Sequence, residues 1–157
     1  TLKWESAPQS DNNILVFDCV TAIIKNKDTG LYLSVEFVRG EFWLVGWKIE
    51  NWEEKDEAII REIEEETGYK NAVIKNVIFE KIYSRWYKVR KKREEEVLEK
   101  VFYVEVSEKH KSDILWADTW TTWIHWFDKD DMLEKLTLTH HIYFFESYIN
   151  DFDGVKE

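Results

Sequence analysis

Residues 47–69, WKIENWEEKDEAIIREIEEETGY, decide how this chain is read. At about 100° per residue, Glu62, Glu65 and Glu66 share one arc of a helix, and Ile59, Ile60 and Ile63 share the neighbouring arc. One stripe can be buried while the other faces a cleft. Like charges at this spacing repel by roughly a few tenths of a kcal/mol per exposed pair. The acidic stripe is therefore either a solvated helix face or a site where a cation reverses that penalty. Hard oxygen donors favour Mg²⁺ or Mn²⁺, and Mg²⁺ takes a few carboxylates and leaves its other positions to water and phosphate oxygens.

The same stretch resembles the signature of the Nudix hydrolases, G-x5-E-x7-R-E-U-x-E-E-x-G-U, where U is a bulky apolar residue. Glu53, Arg61, Glu62, Ile63, Glu65, Glu66, Gly68 and Tyr69 match eight of the nine fixed positions. The first glycine of the pattern falls on Trp47, and a glycine that members often place just before the first glutamate falls on Trp52. The resemblance implies an α/β fold, a Nudix-like α/β/α sandwich with a mixed β-sheet. It also implies cleavage of a nucleoside diphosphate linked to another moiety, or of a related diphosphate, by metal-assisted attack of water on phosphorus. On that reading Glu62, Glu65 and Glu66, with the backbone carbonyl of Trp47, hold Mg²⁺ or Mn²⁺. Glu53 and Arg61 form an ion pair that sets the loop against the helix, so Glu53, Arg61, Glu62 and Glu65 are the expected catalytic set. The proton acceptor is one of the trio or a later acid such as Asp113 or Asp118, which read equally as plain loop acids. The alternative from another class is a Nudix-like domain that binds a ligand or protein without turnover.

Composition bounds these readings. The 157 residues, 44% hydrophobic and 34% charged, fit one globular domain over 1–157, with residues 1–13 as a polar surface arm containing Pro8. No apolar run reaches the roughly 18 residues of a membrane span, and no basic segment followed by an apolar core opens the chain, so a cytoplasmic location is the expectation. A net charge of −10 argues against bulk nucleic acid as a partner and leaves a small phosphate-containing molecule compatible. The single Cys19 forbids an internal disulfide and reads as a packed thiol.

Apolar runs predict strands over Ile14 to Lys25, Leu31 to Arg39 and Phe42 to Val45, with a turn at Asn26 to Gly30. The helix follows from Glu54 to Thr67, ended by Gly68. Two long segments, Ala72 to Tyr87 and Val97 to Val106, form a hairpin whose charged tip, KVRKKR followed by Glu94, Glu95 and Glu96, reads as solvated rather than as a phosphate clamp. A last strand over Thr121 to Phe127 precedes a short helix, Asp130 to Leu136, capped by Asp128, and a final helix from Thr139 to Asn150. His140 and His141 lack a spaced third ligand in the sequence and read as a surface pair rather than a zinc site.

Nine tryptophans depart from ordinary usage. Trp47, Trp52, Trp86 and Trp120 stand in loop-like contexts and are the candidate ligand-binding residues. Three readings stay open for them: stacking against a flat ligand, burial in a partner or a second copy of the chain, or redesign of a glycine-bearing loop. A tryptophan that kept a glycine-type backbone would be strained by about 1–3 kcal/mol.

Overall fold

The computed structural model describes residues 2–3, 14–37, 40–50, 52–88, 92–111 and 121–153. Eight strands form one mixed sheet: β1 (Leu2–Lys3), β2 (Ile14–Asn26), β3 (Tyr32–Phe37), β4 (Phe42–Trp43), β5 (Val45–Lys48), β6 (Val73–Lys88), β7 (Arg93–Val106) and β8 (Thr121–Phe127). Helix α1 (Lys55–Thr67) follows β5, and α2 (Lys129–Lys135) and α3 (Thr139–Tyr148) follow β8. The strand order is β1-β6-β7-β2-β3-β4, with β5 also on β2 and β8 on β3.

At the centre, β2 and β7 run parallel in unbroken register from Ile14 opposite Glu94 to Asn26 opposite Val106. Alternate side chains point to opposite faces. Val20, Ala22, Ile24, Phe102, Val104 and Val106 build one core with Ala58, Ile59 and Ile63 of α1. Ile23, Val101 and Tyr103 build a second with Met132 and Leu136 at α2 and Phe144, Phe145 and Tyr148 of α3. The sheet is thus covered on both faces, the α/β/α arrangement expected from the sequence. Ile59 and Ile63 are fully buried, each contributing about 1.5–3 kcal/mol relative to exposure, and they tie the acidic helix to its face.

Several elements depart from expectation. The arm contributes Leu2–Lys3 as an edge strand parallel to β6. The stretch expected as one strand over Phe42 to Val45 divides at Leu44: β4 pairs with β3, while β5 pairs with β2. Leu44 sends its N–H to Nδ1 of His141 at 3.0 Å instead of to a strand. Trp86, expected in a break, lies within β6 opposite Glu95. The hairpin around the basic run is present, but Glu94 and Glu95 are buried rather than solvated, paired with Arg85 at 2.5 Å and Arg93 at 2.9 Å. Asp128 caps α2 by accepting from the Asp131 N–H at 2.8 Å.

Two glycines are needed where they stand. Gly68 closes α1 at φ 79°, in the left-handed region that glycine enters without steric cost. Gly46 lets β5 approach β2, because a Cβ there would lie 3.0 Å from Thr21 Oγ1 and 3.2 Å from the Val20 carbonyl. That hydroxyl donates to Glu99 Oε2 at 2.7 Å, so the crowding reaches a buried carboxylate. Gly46→Ala is expected to lower stability by about 1–3 kcal/mol, read as a reduced urea midpoint. An unchanged midpoint would show that β5 can shift freely.

Candidate active site

Helix α1 presents its acidic residues because its apolar stripe is held down. Its N-cap, Glu54, makes no side-chain cap, and Asp56 and Glu57 occupy the first turn, where the helix dipole favours negative charge. Glu62 lies at the edge of the buried stripe and is 3% exposed, whereas Glu65 and Glu66 are partly exposed.

Arg61 joins the parts. Its Nη2 donates to Glu53 Oε2 at 2.7 Å, and its Nη1 donates to Glu62 Oε1 at 2.8 Å and to Glu65 Oε2 at 3.2 Å. Glu53 Oε1 accepts the backbone N–H of Glu50 at 3.1 Å, and the Glu53 N–H donates to the Glu50 carbonyl at 3.0 Å. One guanidinium therefore spans the loop acid and two helix acids, the fork geometry that suits arginine rather than lysine. The Glu50 N–H and then Arg61 hold the Glu53 carboxyl below its ordinary range. Burial pushes Glu62 upward, partly opposed by Arg61 and reinforced by the Glu65 charge. Glu62 is a desolvated acid whose ionisation depends on positive charge nearby.

Hard oxygen donors on one arc, one of them desolvated, fit a hard divalent cation in chemistry. With Arg61 as the counter-charge, Glu62 and Glu65 turn toward it, so cation binding requires those carboxylates to exchange partners. An open cleft of about 530 Å³ adjoins this network, lined by Glu53, Glu54, Lys55, Asp56, Glu57 and Lys100. Lys100 reaches it from β7, 3.5 Å from Asp56 and 3.3 Å from Glu80.

The aromatic candidates divide. Trp47 is not in a loop but in β5, opposite Val20, and its φ is not positive, so the glycine-type strain does not arise. Strand alternation places it with Val45 on the α1 side, and it is 41% exposed. Trp52 is 82% exposed. Trp120, Asp113 and Asp118 lie outside the described residues, as does the side chain of Trp86. The histidine pair is not on the surface: His141 is 5% exposed and His140 partly buried, because α3 turns them toward the sheet. Glu99, which sequence reading passed over, lies beside them at 3% exposure. Its one sequence signal was an acid at an inward position of an alternating strand.

Removing Arg61 leaves Glu62 buried without its nearest counter-charge. Arg61→Ala is expected to cost about 1–3 kcal/mol through that one carboxylate and to raise the Glu62 pKa further, because the lost neighbour acts to lower it. Thermal denaturation and carboxyl-detected NMR titration check both, and an unmoved Glu62 titration would contradict the linkage.

No family profile matches the chain, and no curated protein matches it in sequence. Solved structures do. A NUDIX hydrolase from Nitrosomonas europaea superposes with a TM-score of 0.64 at 21% identity, over 90% of this chain and 96% of that one. A C. elegans Ap4A hydrolase, in a binary complex, gives 0.67 at 14% identity, over 88% and 99%. The E. coli dihydroneopterin triphosphate pyrophosphohydrolase gives 0.61 at 12%, over 87% and 99%. Coverage of nearly the full length of each of these structures shows that this chain has the Nudix hydrolase fold.

Proposed function

We propose that the chain is a metal-dependent diphosphohydrolase whose reacting centre is the acidic face of α1. The observation that carries this reading is the Arg61 network, which links Glu53, Glu62 and Glu65 in the Nudix fold. Three structures of that fold are named for phosphate-containing substrates: Ap4A, dihydroneopterin triphosphate and UDP-X.

Hydrolysis forms one P–O bond from water and breaks one bridging P–O bond, while charge gathers on the phosphoryl oxygens. Glu62, Glu65 and Glu66, with the Trp47 carbonyl, would hold Mg²⁺ or Mn²⁺, which when bound supplies charge neutralisation and a lowered pKa for coordinated water. Arg61 ties Glu53 to Glu62 and Glu65, holding the loop and helix acids together until a cation would take its place on the helix carboxylates. A carboxylate of the trio takes the proton that the attacking water loses. Lys55 and Lys100, the cations lining the cleft, offset the repulsion an incoming polyanion meets from the acids there.

A second reading, ligand or partner binding without turnover, is supported by the exposure of Trp47 and Trp52 beside this face. Base stacking on an indole is worth about 1–3 kcal/mol.

Phosphate release is measured with Mg²⁺ on dinucleoside polyphosphates, nucleotide sugars and nucleoside triphosphates. The parent is expected to exceed a Glu65→Gln, Glu66→Gln double variant by about two orders of magnitude or more; equal rates would sink the enzyme reading. In parallel, nucleotide is expected to quench parent tryptophan fluorescence more than that of Trp47→Gly, and a flat response in both would remove the stacking reading.

A further inference from the structure

The face of the sheet opposite α1 carries its own set of ligating side chains. His140 and His141 open α3 and Glu99 projects from β7, and one ligand atom from each lies within 4.8 Å of the other two. Among the described residues this is the one group of three or more His, Cys, Asp or Glu side chains gathered so closely. Glu99 Oε2 accepts the Thr21 hydroxyl at 2.7 Å. Its Oε1 is buried without a hydrogen-bond partner among the described residues and faces His140 Nε2 at 3.7 Å, beyond hydrogen-bond reach. A buried carboxylate oxygen with no donor within hydrogen-bond reach is costly to hold there, which points to a partner of positive charge. Burial also holds both imidazoles neutral, with His140 down to about 4 and His141 well below its ordinary value, and neutral imidazole is the ligating form.

We propose that Glu99, His140 and His141 form a second cation site, taking Zn²⁺ or a similar borderline transition metal, on the face of the sheet opposite the α1 carboxylates. Two imidazoles and one carboxylate suit Zn²⁺ and discriminate against Mg²⁺, for which the all-oxygen α1 face is the better match. Bonds of about 2.0–2.2 Å place the ligand atoms of a tetrahedron about 3.3–3.5 Å apart. The gap between Glu99 and His140 therefore closes with a small side-chain rotation. His140, whose side chain is 14% exposed, lies nearest to solvent and marks the side from which water fills the fourth position.

His141 makes the site readable. The Leu44 N–H donates to its Nδ1, which places the ring proton on Nε2 when no cation is bound. Ligation through Nε2 moves that proton to Nδ1 and displaces the Leu44 amide. Ligation through Nδ1 displaces it directly. Glu99 enters as the carboxylate and gives up any proton to solvent. A loaded site would fasten the start of α3 to β7, across the second core.

The test uses the full chain, stripped with chelator, in the parent and in a Glu62→Gln, Glu65→Gln, Glu66→Gln background that removes the α1 carboxylates. Co²⁺ is added as the spectroscopic probe and then displaced with Zn²⁺. One equivalent is expected to give the strong visible bands of a four-coordinate ion in both proteins, with the Leu44 amide resonance shifting at the same stoichiometry. Glu99→Gln and His140→Gln are expected to weaken Zn²⁺ binding by at least about tenfold. The weak spectrum of hydrated Co²⁺ with a stationary Leu44 resonance would overturn the proposal, as would unchanged affinity in both ligand variants. The parent spectrum and the amide shift decide the matter even if a variant fails to fold. Survival of the signal in the triple background separates this site from the one proposed on α1.

Discussion

The parallel pairing of β2 with β7, buried from both sides, is the constraint on which the other elements depend. Each strand alternates its side chains between the α1 core and the α3 core, as Ile23 beside Ile24 and Val101 beside Phe102 illustrate. A slip of one residue would exchange the two sets and turn every partner residue to the wrong helix. Strands covered on both faces must be apolar in both directions, and the uninterrupted VTAII and VFYV runs follow from that.

The same alternation separates the chemistry. Glu99 and Lys100 are neighbours in sequence but reach opposite faces of the sheet, Glu99 toward α3 and Lys100 toward the α1 cleft. On the α1 face, charge is compensated: Arg61 meets Glu53, Glu62 and Glu65, and Lys100 meets Asp56. On the α3 face, the Thr21 hydroxyl is the one hydrogen-bond donor to Glu99 among the described residues, and burial pushes its carboxyl up to about 7. The first arrangement sets acids beside cations that offset their mutual repulsion, whereas the second makes a buried acid sensitive to any positive charge that reaches it.

Tryptophan at a position where glycine is customary is tolerated because the backbone there is extended. Trp47 takes a β conformation and pairs with Val20, so its bulk extends from the strand instead of straining it. The close approach that requires glycine falls one residue earlier, at Gly46 against Thr21. Energetic pressure on β5 therefore comes from packing between strands rather than from forbidden backbone angles.

What the sequence determined alone was whatever depends on local periodicity. The i, i+3, i+4 spacing of Glu62, Glu65 and Glu66 beside Ile59 and Ile63 specified a helix with one buried and one acidic stripe, and Gly68 specified its end. The order of strands and helices, and the hairpin from β6 to β7, were legible for the same reason. Tertiary structure decided everything set by contacts between distant residues. It divided the stretch around Leu44 between two strand partners, placed Trp47 in a strand, and buried Glu94 and Glu95 against arginines. It also gathered Glu99 with two histidines some forty residues away, which no local pattern announces. Local periods report which face a residue occupies, but which groups meet across that face depends on the register and packing of the whole chain.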